Sequence, residues 1–193
     1  MVKIYRIFVP AYLALQLSFF IPLCTAGELL HSYVNEDNDR YVLHLDMRIN
    51  AEYDDVYLVL MDFSKMPEIN DSVTSARLLE SNGKQHTLVF VTEGCIWFFC
   101  ESVKQVATVS ELGQGYILTK ADPEKSNLRY GKSLWQVIDE GETTRVKYNA
   151  EYIPDFWVPP IFGSSILQSR LLKEGQKTIH GIERLSSPLG NSQ

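Results

Sequence analysis

The sequence predicts an α+β domain: a curved antiparallel sheet of about seven strands, a short helical segment near its start, and one long C-terminal helix that closes it. Three observations predict it. Apolar and polar residues alternate strictly from Tyr41 to Ile49, the period-two signature of a half-buried strand. Later segments of strand composition are joined in pairs by compact turn signals. The last long apolar stripe keeps helical spacing, with charged residues mostly outside it.

The chain opens with Lys3 and Arg6, an almost wholly apolar run from Ile7 to Leu23, and Cys24-Thr25-Ala26, which ends in small residues. This is the pattern of a signal peptide cut after Ala26, and it implies a periplasmic or secreted protein. The run also approaches the ~18 apolar residues of a spanning helix, so an uncleaved N-terminal anchor is the alternative. Pro10 and Gln16 weaken that alternative. Lipidation of Cys24 is disfavoured, because Leu23 stands where a small residue is needed. Removing residues 1–26 of the 193 leaves 167, the size of one domain. Lys3 and Arg6 depart with no acid, so the net charge goes from −6 to −8. An acidic chain without a Lys/Arg cluster cannot replace the counterions of nucleic acid, and anionic membrane surfaces are disfavoured likewise.

Residues 27–39 are polar, with Asn35-Glu36-Asp37-Asn38-Asp39, and read as a flexible leader to a domain spanning 40–186, with 187–193 as a tail. In the first strand Tyr41, Leu43, Leu45, Met47 and Ile49 share one face, and Val42, His44, Asp46 and Arg48 share the other. Asn50 can cap a short helix over Ala51 to Met61, whose first turn is acidic and whose continuation is interrupted by Met66-Pro67. Val73 to Glu80 and Gln85 to Thr92 flank Asn82-Gly83, the strongest short hairpin signal. Glu101 to Glu111 and Tyr116 to Ala121 are joined through Gly113-Gln114-Gly115, and Arg129 to Asp139 and Thr144 to Ile153 through Glu140-Gly141. Past Pro159 and Pro160, the residues Leu167, Leu171, Gly175, Ile179, Ile182 and Leu185 form the stripe of a helix of roughly 25 residues that ends before Pro188.

With Cys24 gone, the exported chain has an even pair, Cys95 and Cys100. In one straight strand their Cα atoms would lie too far apart to bridge. If Ile96 to Phe99 is a four-residue hairpin loop, they face each other and can close a disulfide; two buried free thiols are the alternative. The spacing is wrong for a redox C-x-x-C site. Ile96-Trp97-Phe98-Phe99 itself has three readings: core of a longer strand, the lip of a cavity, or a transient membrane contact.

The succession resembles the SRPBCC, START-like superfamily of the helix-grip fold, in its polyketide cyclase/dehydrase and coenzyme Q-binding branch. The resemblance covers about Tyr41 to Leu185. Its most recognisable parts are Val56-Tyr57 followed by Met61-Asp62-Phe63-Ser64-Lys65-Met66-Pro67-Glu68, the late hairpin Asp139-Glu140-Gly141-Glu142-Thr143-Thr144-Arg145-Val146, and the closing segment from Val158-Pro159-Pro160 to Leu185. None is a catalytic motif. The resemblance implies a ligand tunnel between sheet and closing helix.

Physical reasoning points to the same place, since one sheet curled around one helix encloses space that only large side chains fill. Gly175 interrupts the stripe where a Leu would continue it, and a mid-helix Gly costs about 1 kcal/mol relative to Ala. Its two readings are room for a ligand and close helix-to-sheet contact. The cavity is expected to be lined by Leu45, Met47, Trp97, Phe98, Tyr148, Tyr152, Leu167, Leu171 and Gly175. The assignable inward faces carry no acid, base or cation, and His180 lies one residue off the stripe. There is no metal-ligand spacing, no G-x-S-x-G, no phosphate loop and no dinucleotide fingerprint, so neither a metal nor a cofactor is expected. Asn70-Asp71-Ser72 matches a glycosylation sequon. Two functional classes remain: a carrier or sensor of a lipid, quinone or other hydrophobic small molecule, and an aromatase/cyclase-type enzyme whose cavity groups move protons.

Processing is directly testable. The intact mass of the exported protein should correspond to a chain beginning at Gly27, and a mass retaining Met1 or acyl chains on Cys24 would contradict export as a soluble domain.

Overall fold

The computed structural model describes residues 27–96, 99–158 and 164–187. The expected signal segment 1–26, Trp97, Phe98 and the tail from Pro188 lie outside the described residues. The elements are β1 (Glu28–Asp37), β2 (Arg40–Ile49), α1 (Tyr53–Met61), a 3₁₀ turn (Phe63–Lys65), α2 (Met66–Ile69), β3 (Val73–Asn82), β4 (Gln85–Ile96), β5 (Phe99–Gly113), β6 (Tyr116–Ala121), β7 (Leu128–Asp139), β8 (Thr144–Pro154) and α3 (Ser164–Ser186). They form one sheet in the order β1-β2-β8-β7-β6-β5-β4-β3, antiparallel throughout, with α3 laid across one face: the α+β helix-grip architecture.

The sheet has 8 strands where about seven were expected, because residues 27–39 are not a flexible leader. Asn38 and Asp39 take φ of 48° and 63°, the left-handed pair of a two-residue hairpin turn, and fold β1 back onto β2 in register from Asp37↔Arg40 to Glu28↔Arg48. The segment reads as polar because it is an edge strand. Only Leu29 and Val34 reach the core. Its outer rim is closed by one side chain of α3: Gln168 Oε1 accepts the Val34 N–H at 2.9 Å, and Gln168 Nε2 donates to the Ser32 carbonyl at 2.9 Å. One N–H and one carbonyl of the exposed edge are satisfied in this way.

The short helix begins at Tyr53, after Glu52, with no side-chain cap, so Asn50 does not cap it. The Asn50 N–H instead donates to Glu183 Oε1 of α3 at 2.8 Å. Asp54 and Asp55 in the first turn still complement the helix dipole. On the outer face, Asp46 is buried rather than solvated and takes both arms of Arg145, at 2.8 and 2.7 Å.

Helix α3 packs against β1, β2, α1 and α2. Its C-terminal residues Ile179, Ile182 and Leu185 join Met47, Ile49, Val56, Val137 and Val146 in the main core cluster. A second cluster, Phe63, Leu88, Val109 and Ile117, fills the same face toward the β4 end of the sheet, with Trp135 and Tyr57 packed against both. Two glycines set the depth of α3. A Cβ on Gly181 would lie 1.9 Å from the Ile69 carbonyl oxygen, so the end of α2 rests on the bare helix backbone. A Cβ on Gly175 would lie 3.2 Å from Leu45 Cδ2 and 3.4 Å from Leu29. Gly175 therefore marks close helix-to-sheet contact, and the reading of it as ligand room is corrected. The Asn70 amide of the sequon is engaged as well, donating to Thr178 Oγ1 at 3.1 Å and to the Glu174 carbonyl at 3.3 Å.

Overpacking typically costs 1 to 3 kcal/mol. Gly181→Ala and Gly175→Leu should each lower the melting temperature by at least several degrees, with Gly181→Ala unable to relax because backbone faces it. Unchanged melting of Gly181→Ala would contradict the contact.

Candidate functional site

Cross-strand register places a set of side chains from six strands on the helix side of the sheet, because directly opposed residues share a face. One line runs Leu45, Tyr148, Trp135, Ile117 and Glu111 across β2, β8, β7, β6 and β5. The next runs Leu43, Ala150, Ser133, Thr119, Val109 and His86. Beyond it Tyr152 opposes Gly131, and Ala121 opposes Ala107. Toward one end of the face the residues are large: Met47, Val146, Val137. Across the middle they are short, and Ala107, Ala150, Ser133 and Thr119 are all buried.

This floor of short side chains is bordered by paired phenols. The Tyr148 and Tyr152 hydroxyls lie 2.6 Å apart, and the Trp135 ring packs on Tyr148 with centroids 4.4 Å apart. Burial raises the Tyr148 phenol well above its ordinary value, reinforced by its neighbour Tyr152, while the Ser133 hydroxyl acts the other way. Burial also raises Tyr152, offset by its bonds to Tyr148 and Ser133. Both stay neutral at physiological pH and keep protons to donate. A phenol pair over an apolar floor can orient a carbonyl or hydroxyl on an otherwise apolar molecule.

The nine cavity residues expected from sequence do not all meet here. Tyr148 and Tyr152 do, with Leu45 beside Tyr148 in the register. Met47 is fully buried in the closed core with Val56 and Ile182, so it supports the floor's edge rather than lining it. Leu171 belongs to the same core cluster, Leu167 is half-buried, and Gly175 is in contact as described. Trp97 and Phe98 lie outside the described residues. Cys95 and Cys100 oppose each other on β4 and β5 and are joined by a disulfide with Cα atoms 4.0 Å apart. Ile96 and Phe99 remain paired beyond it, so the expected four-residue loop is corrected: the strands run on until only residues 97 and 98 lie between them. Phe99 meets Trp157 edge-on at 6.3 Å, and Trp157 is 68% exposed.

Sequence reasoning missed an ionisable group on this face. Glu111 Oε2 accepts from Tyr57 OH at 2.8 Å, Glu111 Oε1 lies 3.3 Å from His86 Nε2, and His86 Nδ1 lies 2.9 Å from Ser81 Oγ. The inward faces assignable from sequence, Leu43, Leu45, Met47, Val146, Tyr148, Ala150 and Tyr152, lie on β2 and β8 and carry no acid or base; Glu111 lies on β5, beyond them. Alternation along Gln105, Ala107, Val109 and Glu111 carried the signal, since all four share one side. The Tyr57 hydrogen bond holds the Glu111 carboxyl below its ordinary value, and burial with that bond pushes Tyr57 up to about 12. His180 instead points outward beside the start of β1, with its side chain 68% exposed. Among the described residues no group of three or more His, Cys, Asp or Glu is placed to hold a metal ion, and no helix is long and apolar enough to cross a membrane.

No family model and no curated protein matches this chain. Solved structures do. A START superfamily protein from Mycobacterium smegmatis superposes with a TM-score of 0.61 at 13% identity, over 75% of this chain and 98% of that one. The Zhui aromatase/cyclase from a Streptomyces species gives 0.62 at 11% identity, over 78% and 98%. A STAR-related lipid transfer protein from Xanthomonas axonopodis gives 0.55 at 16% identity, over 80% and 98%. The fold of this chain is therefore START-like.

A phenol whose folded pKa is raised adds stability in full below its unfolded value, near pH 10, and loses it as the pH rises through the folded value. Spectrophotometric titration should thus find a slow component from Tyr148 and Tyr152, on top of Tyr41 and Tyr57 near pH about 12, with stability falling above pH about 10. Replacing Tyr148 and Tyr152 together by Phe should shrink that component. Uniform ionisation of all tyrosines near pH 10 would contradict the buried pair.

Proposed function

We propose that the protein is an exported carrier or sensor of a hydrophobic small molecule, a lipid, quinone or similar compound, bound between the sheet floor and the N-terminal half of α3. The observation that carries this reading is the floor itself. Short side chains at Ala107, Ala121, Ser133 and Ala150 lie where a helix-and-sheet core ordinarily has large ones, below two neutral phenols. An apolar body replaces the missing side chains, and its oxygen takes a phenol proton. The lipid-transfer and START neighbours support the ligand class. The apolar run at 1–26 and the Cys95–Cys100 bridge support an oxidising, exported location. Exposed Trp157 beside Phe99 supports a lip through which the ligand enters, in transient contact with a membrane.

A second reading, an aromatase/cyclase-type enzyme, is favoured by one observation: Glu111, His86 and Tyr57 form a proton-bearing chain on the ligand side of the sheet. The two readings differ in whether the bound molecule is changed. Extraction of purified protein followed by mass spectrometry should recover an apolar compound, and returning it to delipidated protein should raise the melting temperature. At a concentration of 100 times Kd the gain is about 2.7 kcal/mol. Ala150→Leu should abolish that gain with little change in the ligand-free protein. Stabilisation by no apolar compound would overturn the carrier reading, and conversion of the compound on the protein would favour the enzyme.

A further inference from the structure

Gly27 sits in a fitted recess. Its N–H donates to Glu183 Oε1 at 2.6 Å, and the same oxygen accepts the Asn50 N–H at 2.8 Å. The Glu183 side chain is only 17% exposed and follows the fully buried Ile182 on α3. No other residue type fits at position 27, because a Cβ there would lie 2.3 Å from Glu183 Oε1, 2.6 Å from the Arg48 carbonyl oxygen and 2.8 Å from Ile179 Cγ2. On its open side the recess widens into a surface cavity of about 290 Å³ lined by Gly27, Glu28, Leu29, Gln176, Ile179 and His180.

We propose that this recess is the receptor for the processed N-terminus, in which the Gly27 nitrogen, freed by cleavage after Ala26, is bound by Glu183 as an ammonium-carboxylate pair. The cleavage point expected from Cys24-Thr25-Ala26 and the closed side of the recess rest on separate features of the chain, and they meet at the same residue. The step is a hydrolysis performed by a signal peptidase on the unfolded exported chain. Water's hydroxyl goes to the Ala26 carbonyl carbon and its proton to the Gly27 nitrogen. That amine takes a second proton from solvent, since an α-amino group is mostly charged at neutral pH. One ammonium N–H then donates to the Glu183 carboxylate, and the other two face the open side of the recess. With both partners charged, this contact is stronger than the N–H hydrogen bond of the uncleaved peptide. The other charged groups around the recess are His180 on α3 and Glu28 and Arg48 on the two strands, and Arg48 is already paired with Glu28 and Glu140. Leader removal thereby fixes the residue just before the edge strand.

The test uses the full chain, exported and purified in its processed form. Intact mass fixes the first residue; any start other than Gly27 overturns the proposal. The α-amine is then acetylated selectively at mildly acidic pH, where it reacts ahead of the lysines, in the wild type and in Glu183→Gln, which keeps an N–H acceptor without the charge. Blocking should lower the melting temperature of the wild type by about 2–4 °C and that of Glu183→Gln by less than half as much. An equal shift in both means that only the amide contact matters, and overturns the ion pair. If Glu183→Gln does not fold, Gly27→Ala decides: normal processing with a lowered melting temperature supports the fitted recess, and unchanged melting refutes it. None of these readouts depends on the ligand, so they stand apart from the proposed function.

Discussion

The molecule is organised by how closely α3 can approach its neighbours. Helix backbone meets the end of α2 directly at Gly181, and the helix sits on Leu45 and Leu29 at Gly175, so the C-terminal half of α3 is pressed into the β1–β2 end of the domain. Polar side chains on the same helix complete the seal. Gln168 closes the outer rim of β1, and Glu183 gathers the N–H groups of Gly27 and Asn50 at the opposite ends of the first two strands. Helix packing, contact with the sheet edge and the anchoring of Gly27 and Asn50 are thus carried by one helix face and its borders.

A helix committed to one end of a wide sheet leaves the other strands to be covered by something else. Phe63, Leu88, Val109 and Ile117 answer this for part of β4, β5 and β6, with the 3₁₀ turn folded down on them. Between the two clusters the face drops to Ala150, Ser133, Thr119 and Ala107, and there the side chains that project are phenols. Burial keeps those phenols protonated, so the region is apolar in shape yet retains directed donors. The Glu111 chain stands apart from this pair, at the rim under Tyr57, and its depressed carboxyl pKa favours a charged hydrogen-bond acceptor over a proton donor.

Much of this was legible in the sequence, for identifiable reasons. Alternation in β2 and compact turn signals gave the existence and order of β2 through β8, because in an antiparallel meander each hairpin is decided locally, while the β4–β5 hairpin runs four residues further on β4 and two on β5 than expected. β1 was illegible because an edge strand needs few apolar residues, and its turn uses Asn38-Asp39 instead of the commoner Asn-Gly. The site was only half legible. Facing was predictable for Tyr148 and Tyr152, yet the meaning of Gly175 depended on a distance no pattern encodes. Gly181, the tighter contact, lies off the Leu-Ile stripe, so the pattern does not mark it. Ser133, Thr119 and Glu111 were hidden because their importance comes from side-by-side register across four strands, which single-strand periodicity does not contain.

The central claim is that the short-residue floor, and not the packed C-terminal end of α3, is where an apolar molecule sits. The most direct test is methyl NMR of the protein with a nitroxide-labelled fatty acid. The account predicts that the methyl signals of Ala107, Ala150 and Thr119 broaden on addition while those of Val56 and Ile182 persist. Broadening confined to Val56 and Ile182, or to exposed methyls such as those of Leu58 and Leu112, would contradict it.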